Sequence, residues 1–367
     1  MVKQKIAFFL PSLDGGGVRR MIVTLANALV DEDYEVDIVV CKKKGSYLKL
    51  IDHKVNIVNL NCSRVILSTF KLASYLNKRK PNILYSGIEH TNIVAILAEK
   101  ISRVNTRVIV GAHTTLSNFI NNANNKKNSL FIPYLIRKLY PSAYKILAVS
   151  NGVAEDLEKY LKKKDHISVV YNPVVCSWIY EKAQEPVEDW ILQIDKKLLL
   201  AVGRLTDAKD YPTMLMGFKK SLENTSTSSH LLIVGEGELR EGIESHIKEL
   251  GLQDNVSLIG FRSNPYKYMK QADAFILTSK WEGLPTVLIE AMSLGCPIIS
   301  TDCKSGPNEI LEGGKEGYLV PVGNVEEIAK GIHEVLVNPI IPSEKSIRRF
   351  EEKQIVQEFI YHFKVGW

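Results

Sequence analysis

Short apolar runs alternate with longer segments of helical periodicity along most of this chain. In the first half the apolar runs are "KIAFFL", "EVDIVV", "NILYS", "RVIVGA", "KILAVS" and "ISVVY". In the second half they are "KLLLAVG", "HLLIVG", "NVSLIG", "DAFILTS" and "CPIIS". Strands that are apolar throughout, with helices between them, are typical of parallel sheets covered on both faces. The pattern therefore predicts an α/β protein with two doubly wound, Rossmann-like sheets.

The length of the chain supports the same division. A chain of 367 residues is too long for one ordinary core and suits two domains of about 150 to 200 residues each. We place an N-terminal domain at residues 1–172, a linker at 173–195 where prolines and acids interrupt the alternation, and a C-terminal domain at 196–342. Residues 343–367 predict a C-terminal helix, and its crossing back to the N-terminal domain is one alternative.

The formal charge of +6 hides an asymmetry between the halves. Residues 1–172 carry 26 Lys and Arg against 13 Asp and Glu, a net of +13, whereas residues 173–367 carry 21 against 28, a net of −7. A basic first half suits a polyphosphate ligand, an anionic membrane surface or nucleic acid. The alternative is that this difference in charge between the halves has no function.

The cysteines and the lengths of the apolar runs indicate where in the cell the protein is located. The five cysteines form no CxxC pair, which predicts reduced thiols and argues against disulfides and zinc. No run of about 18 apolar residues without charge occurs. We expect a cytoplasmic protein, and peripheral attachment to the inner face of the cytoplasmic membrane stays open.

One segment bears on that attachment. After the polar stretch 121–128, which contains Lys126 and Lys127, comes "SLFIPYLIRKLYPSAYK", where Arg137 and Lys138 lie among aromatic and apolar residues. Such a segment fits a helix in a membrane interface. A crossover helix docked on the sheet, with a solvated cationic face, is the alternative.

Loops after strands are where open parallel sheets bind ligands. The first, "LPSLDGGGVRR", offers Gly15, Gly16 and Gly17 at the start of a helix, where backbone N–H groups can approach an anion. It matches neither GxGxxG nor the P-loop pattern, and a tight turn is the alternative. In "AVGRLTDAKDYPT", Arg204 and Lys209 are placed to converge on a diphosphate. In "VGEGELREGI" the glycines indicate turn geometry.

Two carboxylates stand out in the apolar stretch "SKWEGLPTVLIEAMSLGCPIIS". Glu282 lies in the loop between a predicted strand and a helix, and Glu290 lies inside that helix. A Glu within an apolar helix is costly unless its charge is paired or hydrogen-bonded. A ribose diol or a cation from a neighbouring helix would each satisfy Glu290.

The motifs "GRLTDAK", "VGEGELR" and "EGLPTVLIEAMSLGCPIISTDCKSGPNEIL", with "LPSLDGGGVRRMIVTLANAL" in the first half, resemble those of retaining glycosyltransferases of family 4. That family implies the GT-B fold, two Rossmann-like domains facing a central cleft, of the kind that builds bacterial surface or lipid-linked glycans. The resemblance implies catalytic roles for Glu282 and His113. It implies donor-binding roles for Gly203, Arg204, Lys209, Gly260, Phe261, Gly283, Leu284, Thr286 and Glu290, and an acceptor-side loop of Gly15, Gly16, Gly17 and Arg19.

Within those roles, Arg204 and Lys209 would hold the diphosphate, Glu290 the ribose, and Glu282 hydroxyls of the donor sugar. The chain departs from the family pattern twice. Pro285 stands where the family often has glycine, so one backbone donor is missing. Arg19 stands where an acid is common, which suits an acceptor that carries phosphate.

The resemblance implies a retaining, metal-independent glycosyltransferase without a cofactor. It would move a hexose or N-acetylhexosamine from a nucleotide sugar, with UDP favoured, to a saccharide that is lipid-linked. The Asp-x-Asp pattern at Asp31 to Asp33 lies between a helix and a strand and indicates a solvated turn rather than a metal site. Alternatives are a GDP-mannose-dependent mannosyltransferase, a phosphorylase or nucleotide-sugar epimerase, and a non-catalytic basic protein that binds membrane or nucleic acid. In the leading reading nucleic acid is not a partner.

Overall fold

A computed structural model describes residues 3–123, 131–162, 165–193, 195–224 and 228–364. Its contacts divide the chain into two compact units. The first comprises Met1–Pro173 with Lys353–Trp367, and the second comprises Val174–Glu352. Each unit contains one parallel sheet covered by helices. The predicted α/β architecture with two doubly wound sheets is confirmed.

The first unit is built on a seven-stranded sheet with the order β3-β2-β1-β4-β5-β6-β7. Every pairing in it is parallel. Its strands are β1 Lys5–Leu10, β2 Glu35–Val40, β3 Asn56–Asn59, β4 Ile83–Ser86, β5 Arg107–Ala112, β6 Lys145–Ala148 and β7 Ile167–Val169. Its helices within the N-terminal segment are α1 Gly17–Asp31, α2 Thr69–Arg79, α3 Glu89–Ile101, α4 Leu116–Ala123, α5 Phe131–Leu139 and α6 Asn151–Leu161.

The second unit is built on a six-stranded sheet with the order β10-β9-β8-β11-β12-β13. Its strands are β8 Lys197–Val202, β9 Ser229–Val234, β10 Val256–Gly260, β11 Ala274–Leu277, β12 Ile298–Thr301 and β13 Tyr318–Val320. Its helices are α7 Ser177–Ala183, α8 Asp189–Leu192, α9 Tyr211–Asn224, α10 Arg240–Glu249, α11 Tyr266–Gln271, α12 Thr286–Ser293, α13 Pro307–Ile310, α14 Val325–Val337 and α15 Glu344–Arg348. The last helix of the chain, α16 Glu352–Lys364, belongs to the first unit from Lys353 onward.

Two boundaries differ from the sequence-based division. Residues predicted as a linker, 173–195, fall mostly in the second unit and include α7 and α8. The predicted C-terminal helix is two helices, and the apolar face of α16 packs into the core of the first unit through Val356, Phe359 and Phe363. The amphipathic pattern of α16 thus covers a sheet whose last strand ends more than 180 residues earlier in the chain.

Each sheet has a topological switch point, where the strand order reverses direction. In the first sheet it lies between β1 and β4, and in the second between β8 and β11. Loops that leave these paired strand ends run in opposite directions and open a crevice, which is the usual ligand position in open α/β sheets. Most of the predicted site residues follow these strands, whereas His113 follows the neighbouring β5, and Gly260 and Phe261 lie at the end of β10.

Candidate active site

The switch point of the second sheet brings a lysine and a glutamate together. Lys209 lies in the short 3-10 turn after β8, and Glu282 lies in the loop after β11. Lys209 Nζ donates to Glu282 Oε1 at 2.6 Å, and the two side chains are 17% and 15% exposed. Ser279 Oγ donates to the same oxygen at 2.7 Å. Glu282 Oε2 has no hydrogen-bond partner within the described part of the chain and is left for a ligand.

Neighbouring groups fix the backbone that carries Lys209. Thr278 Oγ1 donates to the Lys209 carbonyl at 3.0 Å, so the end of β11 holds the turn after β8. Tyr211 Oη donates to the Gly203 carbonyl at 3.2 Å. Burial, with a contribution from the Glu282 carboxylate, raises the pKa of the Tyr211 phenol, which therefore remains a donor. The ammonium position is thus set by two elements rather than by one flexible loop.

Three glycines at adjacent strand ends bring the backbones of β8, β9 and β10 together. Gly203 N–H donates to the Val234 carbonyl at 3.0 Å, and Gly235 N–H donates to the Gly260 carbonyl at 2.9 Å. A Cβ at Gly235 would lie 1.8 Å from the Gly203 carbonyl oxygen, so only glycine fits there. Close packing explains the glycines of "VGEGELR", in agreement with the turn predicted from sequence.

Two further predicted donor residues lie beside these strand ends with exposed side chains. Phe261, directly after β10, is 70% exposed. Arg204, directly after Gly203, is also exposed, and its guanidinium makes no ion pair or hydrogen bond with the described residues. Both side chains are therefore available to a ligand.

Glu290 lies on α12 and is half-buried. Its Oε1 accepts a hydrogen bond of 3.4 Å from Tyr266 Oη, at the start of α11. Tyr266 is itself buried and packs edge-on against Trp178 with 5.3 Å between ring centroids. The helix α11 therefore orients the carboxylate that the sequence assigns to ribose.

The start of α12 is held by the loop that follows β12. Ser305 Oγ donates to the Gly283 carbonyl at 2.9 Å. Gly306 has φ +97°, and a Cβ there would lie 2.4 Å from Cδ of Pro285. Leu284 and Pro285 are buried, whereas Thr286 begins the helix and is half-buried. The backbone at the predicted donor-sugar contacts is therefore fixed from two sides.

The switch point of the first sheet carries the predicted acceptor-side loop. Gly15, Gly16 and Gly17 are exposed at the start of α1, and Gly16 has φ +125°. Arg19 folds back so that Nη1 donates to the Gly15 carbonyl at 3.0 Å. Across the switch point, Glu89 occupies the first turn of α3. Burial raises the pKa of the Glu89 carboxyl.

His113 follows β5, the strand next to β4. Its Nε2 lies 3.3 Å from Tyr85 Oη, and its Nδ1 is buried with no partner among the described residues. Burial lowers the pKa of the imidazole to about 4, so the ring is neutral at physiological pH. Gly87 leaves room for it, since a Cβ there would lie 3.0 Å from Nε2.

The structure thus gathers Gly203, Lys209 and Glu282 in the second unit, and gathers the glycine loop with Arg19 in the first. Sequence reasoning missed Ser279, Tyr266 and Glu89. Ser279 is three residues before Glu282, a spacing that hints at the contact, whereas the Tyr266 contact depends on how α11 packs against α12. Glu89 follows a predicted strand by three residues, which is the signal that was available.

Metal and membrane features complete the description. Within the described ranges, no group of three or more His, Cys, Asp or Glu side chains is placed to hold a metal ion. Asp31 is the last residue of α1, and Asp33 lies between α1 and β2, where it pairs with Lys3. None of the described helices combines the length and the apolar character needed to cross a bilayer.

Comparison with known proteins identifies the class. The model "Glycosyltransferase Family 4" matches residues 15–178, and "Glycosyl transferases group 1" matches residues 185–354. With two parallel-sheet units, these matches define a GT-B glycosyltransferase. A relative from Campylobacter jejuni, N-acetylgalactosamine-N,N'-diacetylbacillosaminyl-diphospho-undecaprenol 4-alpha-N-acetylgalactosaminyltransferase, is 31% identical over 91% of this chain and 90% of its own. The chain therefore belongs to the family 4 glycosyltransferases, as the sequence motifs predicted.

Other relatives and structures agree. A second Campylobacter jejuni enzyme, GalNAc-alpha-(1->4)-GalNAc-alpha-(1->3)-diNAcBac-PP-undecaprenol alpha-1,4-N-acetyl-D-galactosaminyltransferase, is 29% identical over 99% of this chain and 97% of its own. The structure of lipopolysaccharide outer core galactosyltransferase WaaB in its apo form has a TM-score of 0.74 at 25% identity, covering 97% of this chain and 98% of that one. Anabaena Alr3699/HepE in complex with UDP-glucose has a TM-score of 0.78 at 18% identity, with 98% of both chains covered, and shows the shared fold.

Proposed function

We propose that this protein is a retaining glycosyltransferase that moves an N-acetylhexosamine or hexose from a UDP-sugar to a lipid-linked, diphosphate-bearing saccharide. The observation that carries the proposal is the Lys209–Glu282 pair at the switch point of the second sheet, with Glu290 on the helix that follows. A cation for diphosphate, a carboxylate for sugar hydroxyls and a carboxylate for ribose are the groups that a nucleotide-sugar site requires.

The Lys209–Glu282 contact refines the roles of its two members. Glu282 Oε1 accepts from Lys209 and Ser279, so this oxygen positions the ammonium. Its Oε2 is the oxygen available to a hydroxyl of the donor sugar. Lys209 can donate to Glu282 and to a phosphate oxygen at once, because an ammonium has three donors. Arg204 adds a second cation, and its planar fork suits a phosphate.

The transfer that we propose at this site proceeds with retention. The bond between the anomeric carbon and the diphosphate oxygen breaks, and the acceptor oxygen forms its bond on the same face. The acceptor proton passes to the leaving diphosphate oxygen, and a nucleoside diphosphate is released. Negative charge grows on the diphosphate during this step, so Lys209 and Arg204 stabilise the transition state more than the ground state.

The names of relatives support the donor and acceptor classes. The two Campylobacter enzymes are named as alpha-N-acetylgalactosaminyltransferases, and their acceptors are named as diphospho-undecaprenol saccharides. Common UDP-hexoses carry the nucleotide in the α configuration, so an α product corresponds to retention. Arg19, beside the glycine loop of the first unit, is a cation that suits a diphosphate-bearing acceptor.

The donor is tested by thermal unfolding of the full chain with UDP, GDP and ADP. We expect UDP to stabilise most, by about 2.7 kcal/mol at a hundred times its dissociation constant. Labelled UDP-N-acetylhexosamines, UDP-hexoses and GDP-mannose are then offered with a detergent-solubilised polyprenyl-diphosphate saccharide, and the anomer formed is read by NMR. Stabilisation by GDP alone, a β-linked product, or no stabilisation by any nucleotide would each contradict the proposal.

A further inference from the structure

Three large apolar side chains are exposed at the start of α2 in the first unit. Ile66 and Leu67, in the 3-10 turn Val65–Ser68, are 57% and 59% exposed, and Phe70 is 75% exposed. The turn is held by Ser68 and Thr69, whose hydroxyls donate to the carbonyls of Val65 and Ile66 at 2.5 and 2.7 Å. Neighbouring apolar side chains on an ordered turn, left in water, indicate a surface that is covered by a partner.

The charge around this turn indicates an anionic partner. Residues 53–88 contain no Asp or Glu, and their cations are Lys54, Arg64, Lys71, Lys78, Arg79 and Lys80. Arg64 and Lys78 are exposed, and the side chain of neither has a hydrogen-bond or ion-pair partner within the residues that the structure describes. They therefore keep their charge free for an external anion.

A pocket on the same helix adds a second, independent feature. A cavity of about 370 Å³ lies between the edge strand β3 and α2, with Asn56, Lys71, Ser74 and Lys78 in its lining. Arg79 also borders it but is already paired with Glu35 at 2.8 Å and with the buried Asp37 at 3.1 Å. Lys78 and the Ser74 hydroxyl remain as donors, a set that suits a phosphate group.

We propose that Arg64, Ile66, Leu67, Phe70 and Lys78 form a membrane-docking face that binds an anionic phospholipid bilayer. The three apolar side chains enter the boundary between headgroups and acyl chains, while the two cations meet lipid phosphates, one of them in the pocket beside α2. The purpose of this face rests on the proposed function, because a lipid-linked acceptor lies in the membrane. The binding itself does not require donor or acceptor.

A bilayer fits this face better than a second copy of the chain does. Stable protein interfaces bury about 800 Å² on each partner, which is more than three side chains offer. A symmetric contact between two copies through this face would also bring two cationic segments together, and residues 53–88 of neither copy contain an acid to offset them. An anionic lipid surface meets both requirements of the face.

The helix α5 is the other surface to compare, since it contains part of the segment that the sequence singled out for membrane contact. Phe131 and Tyr134 are 64% and 55% exposed, whereas Pro133 and Ile136 are buried. The helix packs against α3, so one face is docked, as in the crossover alternative. Lys126 and Lys127 lie outside the described residues.

The experiment is flotation of the full chain with phosphatidylcholine vesicles that contain or lack phosphatidylglycerol. We expect binding only to the anionic vesicles. Ile66→Ser/Leu67→Ser/Phe70→Ser should reduce the partition coefficient at least roughly tenfold. Arg64→Ser/Lys78→Ser should reduce it about fivefold per cation, and added salt should remove that difference.

Matched controls come from the same unit. Tyr361, 65% exposed on α16, and the exposed Lys159 on α6 are replaced by Ser and should float as the wild type does. Unfolding midpoints and sugar transfer to a detergent-solubilised acceptor show whether each variant is folded, and they report on the proposed function separately from membrane binding.

Three results would overturn the docking face. One is a wild-type chain that floats with neither vesicle, and another is unchanged flotation of both test variants. The third is loss of flotation in Phe131→Ser/Tyr134→Ser but not in the variant that lacks Ile66, Leu67 and Phe70. A dimer that this last variant abolishes, without vesicle binding, would assign the face to a second copy.

Discussion

The pair formed by Lys209 and Glu282 allows a test in which the two partners are removed separately and together. Lys209→Met removes the cation and keeps most of the side-chain volume. Glu282→Gln removes the negative charge and retains an oxygen that can accept from Ser279, which now donates at 2.7 Å. The double variant closes a thermodynamic cycle for the 2.6 Å contact.

The expected magnitudes follow from the burial of the pair. Exposed ion pairs contribute roughly 0.2–1 kcal/mol, and loss of one partner from a fully buried pair costs about 3–5 kcal/mol. With side chains 17% and 15% exposed, each single variant should lose about 2 kcal/mol in the free energy of unfolding. A lysine hydrogen bond to phosphate is worth about 1.5–3 kcal/mol, so Lys209→Met should weaken UDP binding roughly 10- to 100-fold.

The assays separate positioning from direct contact. Calorimetric titration with UDP measures nucleotide affinity, and steady-state transfer measures turnover. Glu282→Gln should lower turnover more than UDP affinity, because its Oε2 is the oxygen assigned to the donor sugar. The double variant should bind UDP as weakly as Lys209→Met does, since Glu282 affects the nucleotide only through the ammonium that it holds.

The control is another ion pair between the same two loops. Lys280 Nζ lies 2.7 Å from Asp207 Oδ1, but these side chains are 36% and 70% exposed. Lys280 Nζ also lies 3.8 Å from the buried Asp210, so the control variant is Asp207→Asn, which should change stability by less than about 1 kcal/mol and leave UDP affinity unaltered. The reasoning is refuted if Lys209→Met binds UDP like the wild type, or if the effects of the two substitutions on UDP affinity simply add.

Four further substitutions test other parts of the two sites. Glu290→Gln should weaken UDP binding about tenfold in calorimetry with little effect on turnover at saturating donor, because in the proposed site the ribose loses a charged acceptor. The folded pKa of His113, about 4, lies below its ordinary 6.5, so stability should fall as pH drops from 6.5 to 4. His113→Gln should reduce that loss by on the order of 2 kcal/mol at pH 5 in urea unfolding, while His362, also lowered to about 4, maintains the remainder. Glu89→Gln should slow transfer to the acceptor but not hydrolysis of the donor, because Glu89 lies at the switch point that carries the predicted acceptor-side loop. Nucleotide release measures both reactions. Gly306→Ala should lower the free energy of unfolding by about 1–3 kcal/mol, because its φ of +97° disfavours a Cβ.

The order of helices and strands could be predicted from the sequence because the pattern that identifies each element lies within a short stretch of the chain. A strand buried on both faces must be apolar along its length, and the runs "KLLLAVG" and "DAFILTS" both became buried strands, β8 and β11. What the runs do not encode is which strands are neighbours. The contact between Lys209 and Glu282, 73 residues apart in sequence, exists because β8 pairs with β11.

The segment 173–195 shows the converse case. Its prolines and acids indicated a linker, yet those acids have distant partners. Glu188 accepts from Tyr268 at 2.8 Å, and Glu185 accepts from Asn264 at 2.8 Å. Composition alone cannot distinguish an acid in solvent from one that meets a donor about 80 residues later, so the tertiary contact decided the structure here.

At Pro285, in the predicted donor-sugar contact, one property could be predicted from the sequence and another depends on a tertiary contact. The sequence identified it as a missing backbone donor, and the structure gives it a packing role, since its ring occupies the space where a Cβ at residue 306 would lie. The loop after β12 reaches it because β12 pairs with β11, and Ser305 fixes the Gly283 carbonyl from the same loop. Pro285 therefore lacks one hydrogen-bond donor, but its packing fixes the backbone of the loop before a ligand binds. Preorganisation of this kind lowers the entropic cost of binding, so we expect this loop to bind the proposed donor sugar with fewer amides than the glycine-containing version of the family pattern.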